Sequence, residues 1–369
     1  MTGADQNAWL HAALEEARKG IGLVSPNPAV GAVVVRDGVV VGRGWHTWAA
    51  GDHAEIVALR QAGESARDAA LYLSLEPCCH TGRTPPCTDA IIRAGVAKVV
   101  AAMEDPNPLV GGRGLARLRE AGIPAEIDPA FTAEAEQINQ EFVHFMRTGA
   151  PLVTLKAALT LDGKIAAPED NRGWITSDLA RLHVQQLRHR ADSIATGIGT
   201  VLADDPLLTD RTSLPRSRPL LRIVLDSQLR IPLHSRMVET CQNDTLIVTT
   251  SLASPDRRRM LEDRGVRVLV SDHPAGRTDL RQLVDVLAKE RYLSLMIEAG
   301  SKVNWAALES GVVDRIFFYY APKILGGMMS LPVAGGAGRL RRSDAILFRD
   351  VKLHQITPQE FAVEAWLVK

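Results

Sequence analysis

Several things are scarce in this 369-residue sequence, and each scarcity excludes something. Neither charge is in excess: 43 Lys and Arg face 43 Asp and Glu, for a formal net charge of zero. A dedicated nucleic-acid binder normally carries a basic surplus, so that class is set aside, while a local basic pocket for a phosphorylated small molecule is not. Aromatic residues make up only 5% of the chain, too few for an extended base-stacking platform. No uninterrupted apolar run approaches the roughly 18 residues of a membrane-crossing helix, so no membrane partner is expected. The opening MTGADQNAWLHAALEEARKG lacks the basic start, apolar block and small-residue cleavage site of a secretory signal, and a cytoplasmic location is the expectation. Cysteine is rare too, with four in all. A disulfide framework would spread its cysteines through a short secreted chain. Here Cys78, Cys79 and Cys87 crowd together and Cys241 stands far off, which reads better as metal ligation.

Apolar residues at 46% and charged residues at 23% are those of a globular protein, and the length suits two domains. The spacing predicts a helix over 5–20, then a valine-rich hairpin across Ala29–Val41 that turns at Asp37-Gly38. It continues with a helix over 53–62, a buried strand at 71–76, a helix at 87–94, a strand at 97–103, a helix at 112–121 and a short strand at 124–127. Strands alternating with helices imply a sheet flanked by helices. A polar helix over 132–147 runs into Thr148-Gly149-Ala150-Pro151, where glycine followed by proline ends a helix and opens an extended segment. The domains are therefore expected at 1–147 and 151–369. In the second, strands are predicted at 152–158, 193–196, 220–225, 245–250, 266–270, 293–297 and 315–320. Helices are predicted at 178–190, 278–290 and 301–310, and terminal strands within 350–368.

The sharpest chemical signal is His53-Ala54-Glu55 followed by Pro77-Cys78 and Cys87. Zinc prefers nitrogen and thiolate donors, and a catalytic zinc keeps three protein ligands and one open position. Glu55, two residues beyond His53 at the start of a helix, could then move protons for a water whose pKa the metal brings towards neutrality. Spacing alone leaves the second thiolate open, since Cys79 is also available. It also leaves open a structural zinc closed by Cys79 or His80. The H-x-E…P-C…C pattern resembles the zinc-dependent nucleobase deaminases. The run EPCCHTGRTPPC is similar to the riboflavin-biosynthesis branch of that superfamily, and PNPAVGA (26–32) is similar to its NPxVGA segment. The resemblance implies zinc ligands His53, Cys78 and Cys87, a proton-shuttling Glu55, and no role for Cys79. Prolines on either side of Asn27 would hold its amide in an extended geometry, and an amide that both donates and accepts suits a pyrimidinone edge. Residues 103–108 (MEDPNP) are expected to border the same pocket, and His80 and Arg83 could meet a substrate phosphate.

The second half carries no G-x-G-x-x-G after its first strand, so the usual dinucleotide fingerprint is missing. Thr196-Gly197-Ile198-Gly199-Thr200 and Glu298-Ala299-Gly300-Ser301 each follow a strand, and the latter opens a helix whose N-terminus would favour an anion. Read alone, each is as readily a turn and a cap. In order, however, LKAALTLDGKIA (155–166), GWITS (173–177), TVLADDPLLTDR (200–211), IVLDSQLRIP (223–232), IEAGSKVNWAALESGVVDRI (297–316) and YYAPKILGG (319–327) resemble the reductase half of the bifunctional riboflavin-biosynthesis deaminase/reductases. That resemblance implies a cytidine-deaminase-like three-layer α/β/α domain followed by a dihydrofolate-reductase-like α/β domain. It implies zinc in the first and NADPH in the second. It implies cofactor contacts at Ala158, Trp174, Thr200, Asp204, Ser227 and Gly300, Ser301, Lys302, Val303, Asn304, Trp305 and Ala306. It implies substrate contacts at Arg172, Arg188, Leu208, Arg211 and Glu298, with Lys156 and Asp162 near the ribose. The family often has a small polar residue where Arg172 stands. Guanidinium forks match phosphate oxygens, so Arg188 and Arg211 suit a 5′-phosphate. The expected substrate is a phosphorylated pyrimidine ribotide, deaminated and then reduced. An exposed strand in the second half could pair two copies into a homodimer. The competing readings are a nucleoside or RNA base deaminase, and a zinc-stabilised binding protein whose reductase half is inactive.

Overall fold

The structure is a computed structural model that describes residues 3–47, 51–81, 85–169 and 173–369. The chain divides into two compact units, Met1–Gly149 with Pro215–Arg218, and Ala150–Leu214 with Pro219–Lys369.

The first unit contains helix α1 (Gly3–Arg18), strands β1 (Gly31–Arg36) and β2 (Val39–Trp45), α2 (Ala54–Ala62), β3 (Ala70–Leu73), α3 (Cys87–Ala94), β4 (Lys98–Ala101), α4 (Arg113–Glu120), β5 (Ala125–Ile127), α5 (Thr132–Ile138) and α6 (Gln140–Thr148). The strands form one sheet in the order β2-β1-β3-β4-β5, with β1 antiparallel to both β2 and β3 and the remaining pairs parallel. Strand β1 explains its own composition. Val33 and Val35 enter the core on one face with Leu10, Leu14 and Phe131, while Ala32 and Val34 enter the core on the other with Ala58, Leu71 and Ile91. A strand covered on both faces reads as a continuous apolar run rather than an alternation. The single helix expected over 132–147 is two helices. They break at Asn139, whose buried amide turns inward to accept from Ala29 N–H at 2.7 Å and donate to Ala29 C=O at 2.9 Å. These two bonds pin the segment that leads into β1.

The second unit contains β6 (Leu152–Thr160), β7 (Lys164–Ala166), α7 (Asp178–Arg190), β8 (Ser193–Gly197), α8 (Ile198–Asp204), β9 (Leu221–Leu225), α9 (Arg236–Glu239), β10 (Thr245–Thr249), α10 (Pro255–Glu262), β11 (Arg267–Val270), β12 (Asp272–His273), β13 (Arg277–Thr278), α11 (Leu280–Lys289), β14 (Ser294–Ile297), α12 (Ser301–Ser310), β15 (Arg315–Ala321), β16 (Leu331–Pro332), β17 (Phe348–Gln355) and β18 (Phe361–Leu367). Its sheet runs β11-β10-β9-β8-β14-β6-β15-β18-β17, parallel from β11 to β15 and antiparallel at β18 and β17. The parallel strands β8, β9, β10 and β14 are buried on both faces, between the cores around Leu155, Leu283 and Ile297 and around Ile194, Val224 and Ile247. Helices α8, α9 and α10 and the small pairs β7–β16 and β12–β13 were not foreseen. The α10 sequence PDRRRMLE buries only Leu261, so it offers no apolar periodicity to read.

Candidate active sites

The first site is built around the seat of α2. A Cβ on Gly44 would lie 2.2 Å from Ala54 O, and one on Gly42 would lie 2.2 Å from Ala58 O. These two glycines let the helix backbone rest directly on β2. That contact sets the height of His53, which caps α2 in extended conformation, and of Glu55, buried in its first turn. Cys78 sits in the loop after β3, and Cys87 opens α3. His53 Nδ1 is 3.1 Å from Cys87 Sγ and 3.6 Å from Cys78 Sγ, and Cys87 N–H donates to Cys78 Sγ at 3.3 Å. All three ligand atoms lie within 4.8 Å of one another, and among the described residues this is the cluster of His, Cys, Asp and Glu able to hold a metal. One nitrogen and two sulfurs are a donor set zinc favours.

A hydrogen bond from Cys87 and the neighbouring His53 hold the Cys78 thiol down at about 4 against its burial. The same Cys78 contact, with burial, pushes Cys87 up. Burial, reinforced by the Cys78 thiolate, pushes Glu55 up to about 7. Cys79 is half-buried outside the cluster, its thiol pushed up by burial, and His80 is exposed. Arg83 lies outside the described residues. Asn27 is half-buried, with its Nδ2 3.2 Å from His46 Nε2. In the MEDPNP segment Asp105 is buried, pushed up to about 6 by burial, and accepts from Asn107 N–H at 2.8 Å. Glu76, just before Pro77, gathers the N–H groups of Asp105, Gly112 and Leu115 and so holds this loop and the start of α4 together.

The second site lies at the C-terminal ends of β8 and β14, beside the middle of β6. Glu298, one residue past β14, accepts from Lys156 Nζ at 3.0 Å on one oxygen and from Arg188 Nε and Nη2 at 3.1 and 2.9 Å on the other. Burial alone would push this carboxyl up, but the Lys156 ammonium and the Arg188 guanidinium overcome it and hold it at about 2. Arg188 Nη1 also donates to Thr209 O at 2.9 Å, which ties α7 to the loop carrying Leu208 and Arg211. Leu208 is buried with φ 50°, while Arg211 is exposed and anchored through its backbone N–H to Gln185. Asp162 is occupied by Thr160, Leu325 N–H and Gly326 N–H.

Of the residues expected at the cofactor, Gly300 caps α12, and a Cβ built on it would lie 3.9 Å from Thr200 Oγ1, so the two small-residue segments adjoin. Ser301 and Asn304 are buried in α12 and bond to Pro332 O and Val333 O, Lys302 is exposed, and Val303, Trp305 and Ala306 are half-buried. Among the described residues, Asn304 Oδ1 is buried without a hydrogen-bond partner. That orphaned acceptor beside a helix N-terminus and an open small-residue segment fits a bound dinucleotide. Ala158 is half-buried on β6, and Ser227 is half-buried just past β9, where its carbonyl accepts from Thr250. Asp204 is exposed at the end of α8. Trp174 is 69% exposed, with the Arg181 guanidinium 4.8 Å over its ring, so it is not a core tryptophan. Arg172 lies outside the described residues.

Comparison with known proteins follows this division. Residues 4–103 match the cytidine and deoxycytidylate deaminase zinc-binding region, and residues 151–360 match the RibD C-terminal domain. The chain belongs to the RibD family. It is 43% identical over 366 residues to the riboflavin biosynthesis protein RibD of Escherichia coli (strain K12), covering 95% of this chain and 96% of that one. It is 41% identical to the RibD of Actinobacillus pleuropneumoniae, covering 89% and 87%. Among solved structures it is similar to Acinetobacter baumannii RibD, with TM-score 0.87, 35% identity and 99% of each chain covered. It is also similar to a diaminohydroxyphosphoribosylaminopyrimidine deaminase/5-amino-6-(5-phosphoribosylamino)uracil reductase from Thermotoga maritima, with TM-score 0.82, 31% identity and 99% of each chain covered. As in other RibD proteins, a zinc-dependent deaminase domain is followed by an NADPH-dependent reductase domain, and the chain is a bifunctional enzyme of riboflavin biosynthesis. No described helix is long and apolar enough to cross a membrane.

Sequence reasoning missed His46, Gly42, Gly44 and Glu76. His46 had a signal, because a hairpin turning at Asp37-Gly38 brings the residues after β2 beside those before β1. The signal was blurred by a bulge between Val34 and Val35, which shifts the register by one residue so that Gly31 pairs with Trp45.

Proposed function

We propose that the first unit hydrolytically deaminates 2,5-diamino-6-(5-phosphoribosylamino)pyrimidin-4(3H)-one. The second then reduces the ribosyl group of 5-amino-6-(5-phosphoribosylamino)uracil to a ribityl chain. The observation that carries the first half is the meeting of His53, Cys78 and Cys87 within 4.8 Å, beside a buried Glu55. His53, Cys78 and Cys87 would hold zinc, which supplies the Lewis acidity that makes water a nucleophile near neutral pH. Glu55 takes the proton from that water and delivers protons to the ring nitrogen and the departing ammonia. Asn27 reads the pyrimidinone edge.

In the second unit, NADPH supplies the hydride and the protein orients donor and acceptor. The first turn of α8 and the loop after β14, with the first turns of α12, hold the cofactor, and Thr200, Asp204 and Ser227 line its path. Glu298, fixed as an anion between Lys156 and Arg188, accepts hydrogen bonds from ribose hydroxyls, and Arg211 meets the phosphate. The deaminase domain is assigned to 1–147 and the reductase domain to 151–369. The enzyme is assigned to the cytoplasm and acts as a homodimer.

The test is mass analysis of products from the diaminopyrimidinone ribotide with and without NADPH. The deaminated ribotide is expected without cofactor, and its reduced form only with it. Unchanged substrate in the presence of zinc would refute the substrate assignment.

A further inference from the structure

We propose that His46 is a positioning residue of the deaminase site, whose Nε2 accepts a hydrogen bond from the Asn27 amide and so decides which way that amide faces the pyrimidine. The proposal rests on the reading of Asn27 as a substrate contact.

The argument starts from the tautomer. His46 Nδ1 lies 3.0 Å from the carbonyl oxygen of Asp52. A carbonyl can only accept, so Nδ1 carries the proton, and the neutral ring presents a lone pair at Nε2. That lone pair is 3.2 Å from Asn27 Nδ2, a donor. Turning the Asn27 amide over would bring Oδ1 against Nε2, two acceptors face to face. The ring therefore distinguishes the two ends of a side chain whose ends have nearly the same shape. It uses one N–H of Asn27 and leaves the carbonyl oxygen and the second N–H for a partner. A pyrimidinone edge, with donor and acceptor side by side, needs that distinction to be settled before it binds.

His46 is itself well fixed. It is 5% exposed, its backbone N–H donates to Val30 O at 3.0 Å, and its ring meets His53 edge to face at 5.2 Å between centroids. It thus bridges the segment before β1, which carries Asn27, and the residue before His53. Nothing in the hydrolytic reaction requires His46 to exchange a proton.

Two substitutions separate this role from a purely structural pin. Asparagine places its amide nitrogen where Nδ1 stands, so His46→Asn keeps the bond to Asp52 and loses the acceptor for Asn27. Glutamine reaches the Nε2 position, so His46→Gln restores an acceptor there. Asn27→Ala and His46→Asn are each expected to lower kcat/KM for ammonia release by about 10–100-fold, the range for groups that orient a site residue. The double variant is expected to fall no further than Asn27→Ala alone, and His46→Gln to recover to within a few-fold of the parent. Zinc per chain and NADPH-dependent reduction by the second unit are expected to stay constant.

A damaging Asn27→Ala beside a silent His46→Asn, or losses that multiply in the double variant, would overturn the proposal alone. A silent Asn27→Ala would overturn the Asn27 reading and this proposal with it. Loss of zinc in His46→Asn that His46→Gln does not repair would show a structural pin instead and also overturn it.

Discussion

Replacing Gly44 with alanine tests how the deaminase site is built. The added methyl would sit 2.2 Å from Ala54 O, 2.6 Å from Ala58 N and 2.9 Å from Val57 Cβ, where ordinary contact begins at 3.4 Å. The nearest obstacles are helix backbone, which has no rotamer to change. Helix α2 must therefore move off β2 by about 1 Å or tilt by an equivalent amount, and overpacking of this kind costs about 1–3 kcal/mol. Ala54 lies between His53 and Glu55, so the metal ligand and the proton carrier move with it. A 1 Å misplacement of reacting groups lowers a rate by about 10²-fold. Gly44→Ala is accordingly expected to lower kcat/KM for ammonia release by about 10²-fold and to weaken zinc retention under a competing chelator. NADPH oxidation with the deaminated ribotide, performed by the other unit, serves as the internal control and should not change. Full deaminase activity with normal zinc content would refute the claim that close approach through Gly44 sets the site.

Glu298→Gln leaves Lys156 and Arg188 facing each other without a counter-charge. The second unit should lose about 3–5 kcal/mol of stability and its reductase activity, read by thermal unfolding and NADPH oxidation, while ammonia release persists. The Glu298 carboxyl is held at about 2 against an ordinary 4.5, so its contribution is present above about pH 4.5 and is lost as pH falls through 2. In acid unfolding monitored by circular dichroism, the stability gap between parent and Glu298→Gln should therefore close between pH 4.5 and 2, and a gap that widens there would contradict the assignment. Cys79→Ser should leave one zinc per deaminase domain, while Cys87→Ser should lose it, as read by metal analysis after dialysis.

How much of this was legible beforehand depends on what each feature is made of. The hairpin, the helix at Cys87–Ala94 and the helix at Ser301–Ser310 announce themselves through local chemistry: a DG turn, a proline before the helix with a glycine after it, and glycine at both ends. His53 and Cys78 stood out by residue type and order, but the choice of Cys87 over Cys79 came from the family resemblance, and it is the fold that brings His53, Cys78 and Cys87 together. Residues that act through tertiary approach were not. Gly42 and Gly44 read as ordinary strand glycines until a helix is laid across them, and Asn139 reads as a tolerable helix residue until Ala29 comes within reach. Lys156, Arg188 and Glu298 stand on different elements, and only the parallel pairing of β6 with β14 and the packing of α7 bring them together. Trp174, expected at the cofactor, could equally have been core on sequence, and its exposure is a tertiary fact.

The measurement that bears most directly on the central claim is the Glu55→Gln variant assayed for three quantities in one preparation: ammonia released from the diaminopyrimidinone ribotide, zinc per chain, and NADPH oxidised with the deaminated ribotide. Glutamine keeps the shape of the side chain but cannot take up and deliver a proton. The account predicts a fall in ammonia release of about 10²–10⁴-fold, with zinc and NADPH oxidation unchanged. Ammonia release at the parental rate with zinc in place would contradict it.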